Sequence, residues 1–137
     1  MNPRIYRIID ANLNRSREGL RVCEDIARFI LDNSKLTSRF KNYRHRLTIL
    51  SEKLPSASRR LIKSRNSQQD IGKYLPTPKR RSKEIREIFI VNIRRSEEAL
   101  RVLEEFSKII NKKISEDFRK LRFRLYILEQ KTLLELN

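Results

Sequence analysis

Glycine and proline are scarce in this chain, at two and four of 137 residues. A hairpin-rich sheet protein needs many tight turns, which those residues supply, so their shortage favours long helices with few connections. The single cysteine, Cys23, cannot close an internal disulfide; it shares a helical face with apolar residues and reads as a small hydrophobe. One histidine and one cysteine make no cluster of metal-binding spacing, which argues against structural zinc. Tryptophan is absent and aromatics reach only 7%, too few for the stacking platform of a single-strand reader. The GxxxxGK[ST] pattern of a Walker A loop is missing. No apolar run is long enough to span a membrane, and the opening MNPRIYRIIDAN lacks a signal peptide's apolar core. A cytoplasmic protein with no membrane partner is the expectation.

What is abundant is positive charge. Lys and Arg number 33 against 17 Asp and Glu, a formal net charge of +16. Such a balance points to anionic partners: nucleic acid, a membrane surface or phosphorylated small molecules. The 38% hydrophobic content is interspersed with the charges and suits a folded protein of a single helical domain over residues 1–137.

An internal repeat organises the rest. IIDANLNRSREGLRVCEDIARFIL begins at Ile8 and IFIVNIRRSEEALRVLEEFSKII at Ile88. At a constant offset of 80, Asn12 matches Asn92, Arg15 matches Arg95, Ser16 matches Ser96 and Glu18 matches Glu98. Arg21, Val22 and Glu24 match Arg101, Val102 and Glu104 in the same register. A second match follows each first one, FKNYRHRLTIL at Phe40 and FRKLRFRLYIL at Phe118. There the offset is 78, pairing Arg44 with Arg122 and Arg46 with Arg124, so one connecting turn differs by two residues. The repeats span about 8–54 and 88–136.

Each unit reads as a long helix, a turn and a second helix. The first helix is expected from about Arg4 to Leu31, with Pro3 in its first turn. Asp32, Asn33 and Ser34 supply turn chemistry, with Thr37 or Ser34 capping a second helix that reaches about Lys53 before Pro55. A short extra helix over Ser56 to Arg65 and a connector from Asn66 to Lys79 follow. Ser82 is read as the cap of a third helix ending near Asn111, and the last helix runs from about Ser115 to Leu136. The fold class is all-α: a pseudo-twofold four-helix bundle made from two repeated helix pairs, with the short helix and connector between them. An elongated helix-pair protein that completes its core by dimerising is the alternative.

Polar residues interrupt the apolar faces. At about 100° per residue, Asn12 falls mid-face, with Arg15 and Ser16 one turn on, and Asn92, Arg95 and Ser96 repeat the pattern. A buried amide or guanidinium is costly unless bonded or paired. Two readings remain: a polar network locking the helices, or a cleft whose arginines face phosphate oxygens. Gly19, matched by Ala99, gives clearance for close helix approach. Arg21 with Glu24, and Arg101 with Glu104, read most simply as solvated i,i+3 ion pairs. His45 reads as an amphipathic packing residue that Phe123 replaces in the second unit. In the connector, Asp70, Gly72 and Lys73 offer a carboxylate, a flexible backbone and a cation near the basic run of Arg80, Arg81, Lys83 and Arg86.

The stretches NLNRSREGLRVCED, YRHRL, DIG and NIRRSEEALRVLEE together resemble the small all-helical hydroxymethylpyrimidine phosphate kinase family of thiamine biosynthesis. Members of that family also occur fused ahead of a thiamine-phosphate synthase barrel. The resemblance implies transfer of the ATP γ-phosphoryl group to 4-amino-5-hydroxymethyl-2-methylpyrimidine phosphate, with Mg²⁺. For two phosphorylated reactants the residues themselves suggest that Asn12, Arg15, Arg44, Asn92, Arg95 and Arg122 bind substrate and that Arg21, Arg46, Gly72, Lys73 and Arg101 hold ATP, an expectation of the residue pattern rather than of the resemblance. On the same reading Glu18 or Glu98 is expected to hold Mg²⁺ and, with Asp70, to form the catalytic set, Asp70 either binding the metal or orienting an acceptor hydroxyl. A homodimer and a thiamine-phosphate synthase partner are open partnerships. The competing functions are a nonenzymatic nucleic-acid-binding bundle, resting on charge alone, and a regulatory subunit of a thiamine synthase.

Overall fold

The computed structural model describes residues 2–54, 62–63, 65–76 and 84–136. The extra helix expected over 56–65 falls largely outside these residues, as do Pro55, Ser82, Arg80, Arg81 and Lys83. The described elements are helical: α1 (Pro3–Asp25), α2 (Ser34–Glu52), α3 (Ile85–Ser107) and α4 (Lys112–Glu135), with two 3₁₀ turns (Ser67–Gln69 and Ile71–Tyr74) in the connector. They form an all-α four-helix bundle. The largest interface is α1 on α3, followed by α3 on α4 and α1 on α2.

Local chemistry explains where each helix starts. Pro3 opens α1 behind Asn2, whose side chain accepts from the Arg4 amide at 2.9 Å. Asn33, rather than Thr37 or Ser34, caps α2 by accepting from Leu36 N at 3.0 Å. Asn111 does the same for α4 through Ile114 N at 3.2 Å, so α4 starts three residues before the expected Ser115. At the other end of α4, Arg86 donates to the Leu136 and Leu133 carbonyls, satisfying groups that a helix C-terminus leaves open.

The two-residue difference between the units has a structural location. Asn33 follows Glu24 by nine residues, whereas Asn111 follows Glu104 by seven. In the first unit α1 widens into a π-helical turn, Ile26–Ile30, closed by Leu31 N donating to Ile26 O at 3.0 Å. A π turn takes up surplus residues without unwinding the helix. The chain then reverses at Asp32, whose φ of 48° is left-handed, a conformation that Asp tolerates better than most side chains.

The core is one contiguous cluster. Ile9, Leu13, Leu20 and Cys23 of α1 meet Phe89, Ile93, Leu100 and Leu103 of α3, and α2 and α4 close over them with Phe40, Leu47, Leu50, Phe118, Leu125 and Leu128. Phe40 and Phe89 pack edge to face at 6.2 Å. Cys23 is fully buried, and burial pushes its thiol well above the ordinary range. This agrees with the hydrophobe reading.

Candidate functional site

The seam between α1 and α3 is unusually tight. Ser96 Oγ donates across it to Ser16 O at 2.9 Å, and both serines are fully buried. A Cβ on Gly19 would stand 2.5 Å from the Asn92 backbone oxygen and also strike Ser96 Oγ. Gly19 is therefore there for helix approach.

Asn12 and Asn92 use their amides alike, each donating Nδ2 to the carbonyl one turn back, Ile8 O and Ile88 O, at 2.8 Å. Asn12 is buried and its Oδ1 accepts from Arg15 at 3.5 Å. The expectation of buried guanidinium groups needs correcting: Arg15 and Arg95 are exposed, as are Glu18 and Glu98. The face that carries Asn12 and Arg15 is the rim of the α1/α3 seam, and the core lies a third of a turn away along Ile9, Leu13 and Leu20.

A cleft of about 700 Å³ opens on this rim. Arg4, Arg7, Asn12, Asn14 and Arg15 of α1 line one wall, Val102 of α3 another, and Arg65, Asn66 and Asp70 of the connector a third. Asp10, buried within α1, fixes the connector: Arg65 donates to its two oxygens at 2.8 and 3.0 Å. This fork-on-carboxylate geometry is the strong form of the ion pair, and it brings the Asp70 segment to Asn12 and Arg15. Asp70 Oδ1 accepts from the Gly72 amide at 2.9 Å and shapes the turn that Gly72 and Lys73 share. The sequence reading missed Asp10, although its spacing from Tyr6 and Leu13 put it on the core side of α1.

A second misplacement concerns Glu24 and Glu104, read as solvated and found buried. Arg44 donates to Glu24 at 3.1 and 3.2 Å, and Arg122 to Glu104 at 3.0 Å. Their spacing signalled this: each carboxylate lies four residues beyond a core leucine, Leu20 or Leu100. Arg44 and Arg122, expected to clamp phosphate, are thus already engaged by carboxylates inside each helix pair. Arg21 and Arg101 flank the same carboxylates from the surface and also pair with Asp25 and Glu105. Arg46 is half-buried on α2. The residues expected to hold ATP are accordingly spread over four places: Arg21 at the Glu24 pair, Arg101 at the Glu104 pair, Gly72 and Lys73 in the Asp70 turn, and Arg46 on α2.

Glu98, Arg101 and Arg122 line a separate hollow between α3 and α4, with Arg94, Glu97 and Tyr126. Glu18, Glu98 and Asp70 do not converge. Among the described residues no three His, Cys, Asp or Glu are grouped to hold a metal ion, and no helix is long and apolar enough to cross a membrane.

Comparison with known proteins places this architecture. The chain is 40% identical over 129 residues to the thiamine-phosphate synthase of Thermosynechococcus vestitus and 41% identical over 127 residues to that of Prochlorococcus marinus. These alignments cover 93% and 92% of this chain but 35% and 34% of the relatives. The Synechocystis protein of the same name is 38% identical over 126 residues, with similar coverage. The chain therefore spans about a third of the length of the relatives it matches. No solved structure matches it. The ThiD2 family model aligns with residues 7–131, from α1 through most of α4. By that match and these identities, the chain belongs to the ThiD2 family, the small helical hydroxymethylpyrimidine phosphate kinase family whose motifs its sequence carries.

Proposed function

We propose that this protein transfers the γ-phosphoryl group of ATP to 4-amino-5-hydroxymethyl-2-methylpyrimidine phosphate in thiamine biosynthesis, and that the α1/connector cleft is where transfer occurs. The observation that carries the reading is the Arg65–Asp10 fork, which holds Asp70 in one cleft with Asn12 and Arg15. Phosphoryl transfer asks a protein chiefly to align two anionic reactants and neutralise them. Arg4, Arg7 and Arg15, with the outer face of Arg65, supply positive charge on two walls. Asn12 and Asn14 supply neutral donors and acceptors for orientation.

The acceptor chemistry narrows the part played by Asp70. The attacking atom is a phosphate oxygen, largely ionised at neutral pH because the second phosphate pKa is about 6. It needs no general base, so orienting an acceptor hydroxyl is not the task. Mg²⁺, when bound, neutralises charge on the transferring group, and it commonly takes only one or two carboxylates together with substrate phosphates. Asp70 fits that modest requirement, since one of its oxygens makes no protein hydrogen bond among the described residues. Asp10 does not, because both of its oxygens bind Arg65.

The relatives' name supports a thiamine-phosphate synthase acting beside this domain and consuming its product. The test is a coupled assay of pyrimidine diphosphate formation. Arg15→Ala and Arg65→Ala should each lower kcat/KM at least about tenfold, the effect of losing one charge-assisted contact worth roughly 1.5–3 kcal/mol. Full activity in both variants, with folding checked by circular dichroism, removes the proposed site.

A further inference from the structure

The outer face of α4 is apolar where a bundle helix is ordinarily polar. Among the described residues, α1 and α2 carry no exposed large hydrophobic side chain, whereas α4 carries four: Phe123 at 49% exposure, Tyr126 at 40%, Ile127 at 54% and Leu134 at 74%. Phe123, Ile127 and Leu134 follow one another by four and seven residues, the spacing of a helix–helix seam. Phe123 and Tyr126 meet edge to face at 5.9 Å, and the Arg119 guanidinium lies 5.5 Å from the Phe123 centroid. The four side chains together expose roughly 400 Å², the size at which an apolar patch marks an interaction site. None of them lines the α1/connector cleft.

The first unit supplies an internal control. At the offset of 78, His45, Thr48, Ile49 and Ser56 stand where the second unit has Phe123, Tyr126, Ile127 and Leu134. The repeated fold thus accepts polar groups at three of these four places, and its own packing does not account for the apolar ones on α4.

This face is also complementary to itself. With Ile127 as the midpoint of two antiparallel copies of α4, residues equally far on either side of it meet. Leu134 and Lys120 lie seven residues away, Glu135 and Arg119 eight, Lys131 and Phe123 four, and Gln130 and Arg124 three. A carboxylate then faces a guanidinium, an ammonium faces an aromatic ring, the Lys120 stem covers Leu134, and no like charges are opposed in these pairs. A hollow of about 460 Å³, lined by Glu116, Arg119, Lys120, Phe123 and Arg124, lies where Leu134 of the other copy arrives. Parallel pairing would instead set Lys120 against Lys120 in the seam. We infer that two copies of this chain pair through the outer faces of α4, antiparallel about Ile127, with Leu134 of each seated in the hollow of the other.

Such a contact uses the same patch twice and closes on itself as a dimer. It buries on the order of 800 Å² of apolar surface, toward the low end for a specific interface. Each copy also carries a net charge of +16. The dimer is accordingly reversible, with a Kd on the order of 10 μM that tightens as salt screens the repulsion.

No step of the proposed phosphoryl transfer enters this pairing, so a mass measurement tests it alone. Sedimentation equilibrium of the full chain is read from about 1 to 300 μM at about 0.3 M salt. The wild type should rise from the 16.5 kDa of one chain toward twice that mass. Ile127→Arg sets like charges face to face on the axis and should weaken pairing at least about tenfold. Arg119→Glu and Glu135→Arg should each weaken it, and the two together should recover most of the wild-type affinity, because the charges are then exchanged. All three side chains are exposed, so the variants keep their fold, which circular dichroism checks. A wild type that stays monomeric throughout, a dimer that Ile127→Arg leaves intact, or a double variant no better than its singles overturns the inference.

Discussion

The buried Glu97 carboxyl, on α3 against Glu129 of α4, has a consequence for stability. It is raised from 4.5 to about 9 by burial and by Glu129. The unfolded chain gives up this proton above about 4.5, whereas the folded chain keeps it to about 9. Unfolding therefore releases a proton throughout that window, and stability must fall as pH rises. The contribution is fully present below 4.5 and lost on passing 9, with a slope of at most about 1.4 kcal/mol per pH unit. The expected result is a Tm that declines from pH 5 to 9 in the wild type and a visibly flatter profile in Glu97→Gln. Parallel profiles would show that the acid titrates without coupling to folding. This residue was legible in part: Ile93, Leu100 and Glu104 share its face at helical spacing, so burial could be read. Its partner could not, because Glu129 belongs to another helix and no pattern within α3 announces it.

Helix-level features were mostly visible in the sequence. The four long helices and the turns between them followed from periodicity and from Asn, Asp and Ser at the boundaries. The π turn at Ile26–Ile30 did not, because an offset changing from 80 to 78 locates a surplus without saying how the backbone absorbs it. The close α1/α3 seam was signalled by Gly19, and it yields a test of sign. Alanine is better than glycine inside a helix by about 0.5–1 kcal/mol. Against that gain stands a Cβ 2.5 Å from the Asn92 carbonyl oxygen, a backbone atom that cannot rotate aside. Overpacking of this sort typically costs about 1–3 kcal/mol, so the clash should prevail. Gly19→Ala is expected to lower the urea midpoint; a raised midpoint would mean that the seam opens freely and that Gly19 has another purpose.

Across the whole molecule, two tasks are divided differently between the helix pairs. Matched positions keep the internal bracing, Glu24 with Arg44 and Glu104 with Arg122. Unmatched positions set the two halves apart: Asp10 stands where the second unit has Ile90, and Glu97 where the first has Arg17. Repetition in the sequence thus pointed to bracing at Glu24 and Glu104 and to the candidate cleft at Asn12 and Arg15, while the unmatched Asp10 anchors the connector that closes that cleft. The two braces should nevertheless differ in strength, because their arginines differ in access to water. The Arg122 side chain is 10% exposed and Arg44 29%. Removing Glu104 leaves a guanidinium uncompensated in the interior, which costs on the order of 3–5 kcal/mol when a buried pair is broken. Removing Glu24 leaves Arg44 able to turn toward solvent, so the loss should be closer to about 1–3 kcal/mol, that of an unsatisfied polar group. Denaturation of Glu104→Ala and Glu24→Ala side by side should place the former clearly lower in stability. If the order were reversed, the α3/α4 pair would have to relax more readily than its enclosed arginine implies.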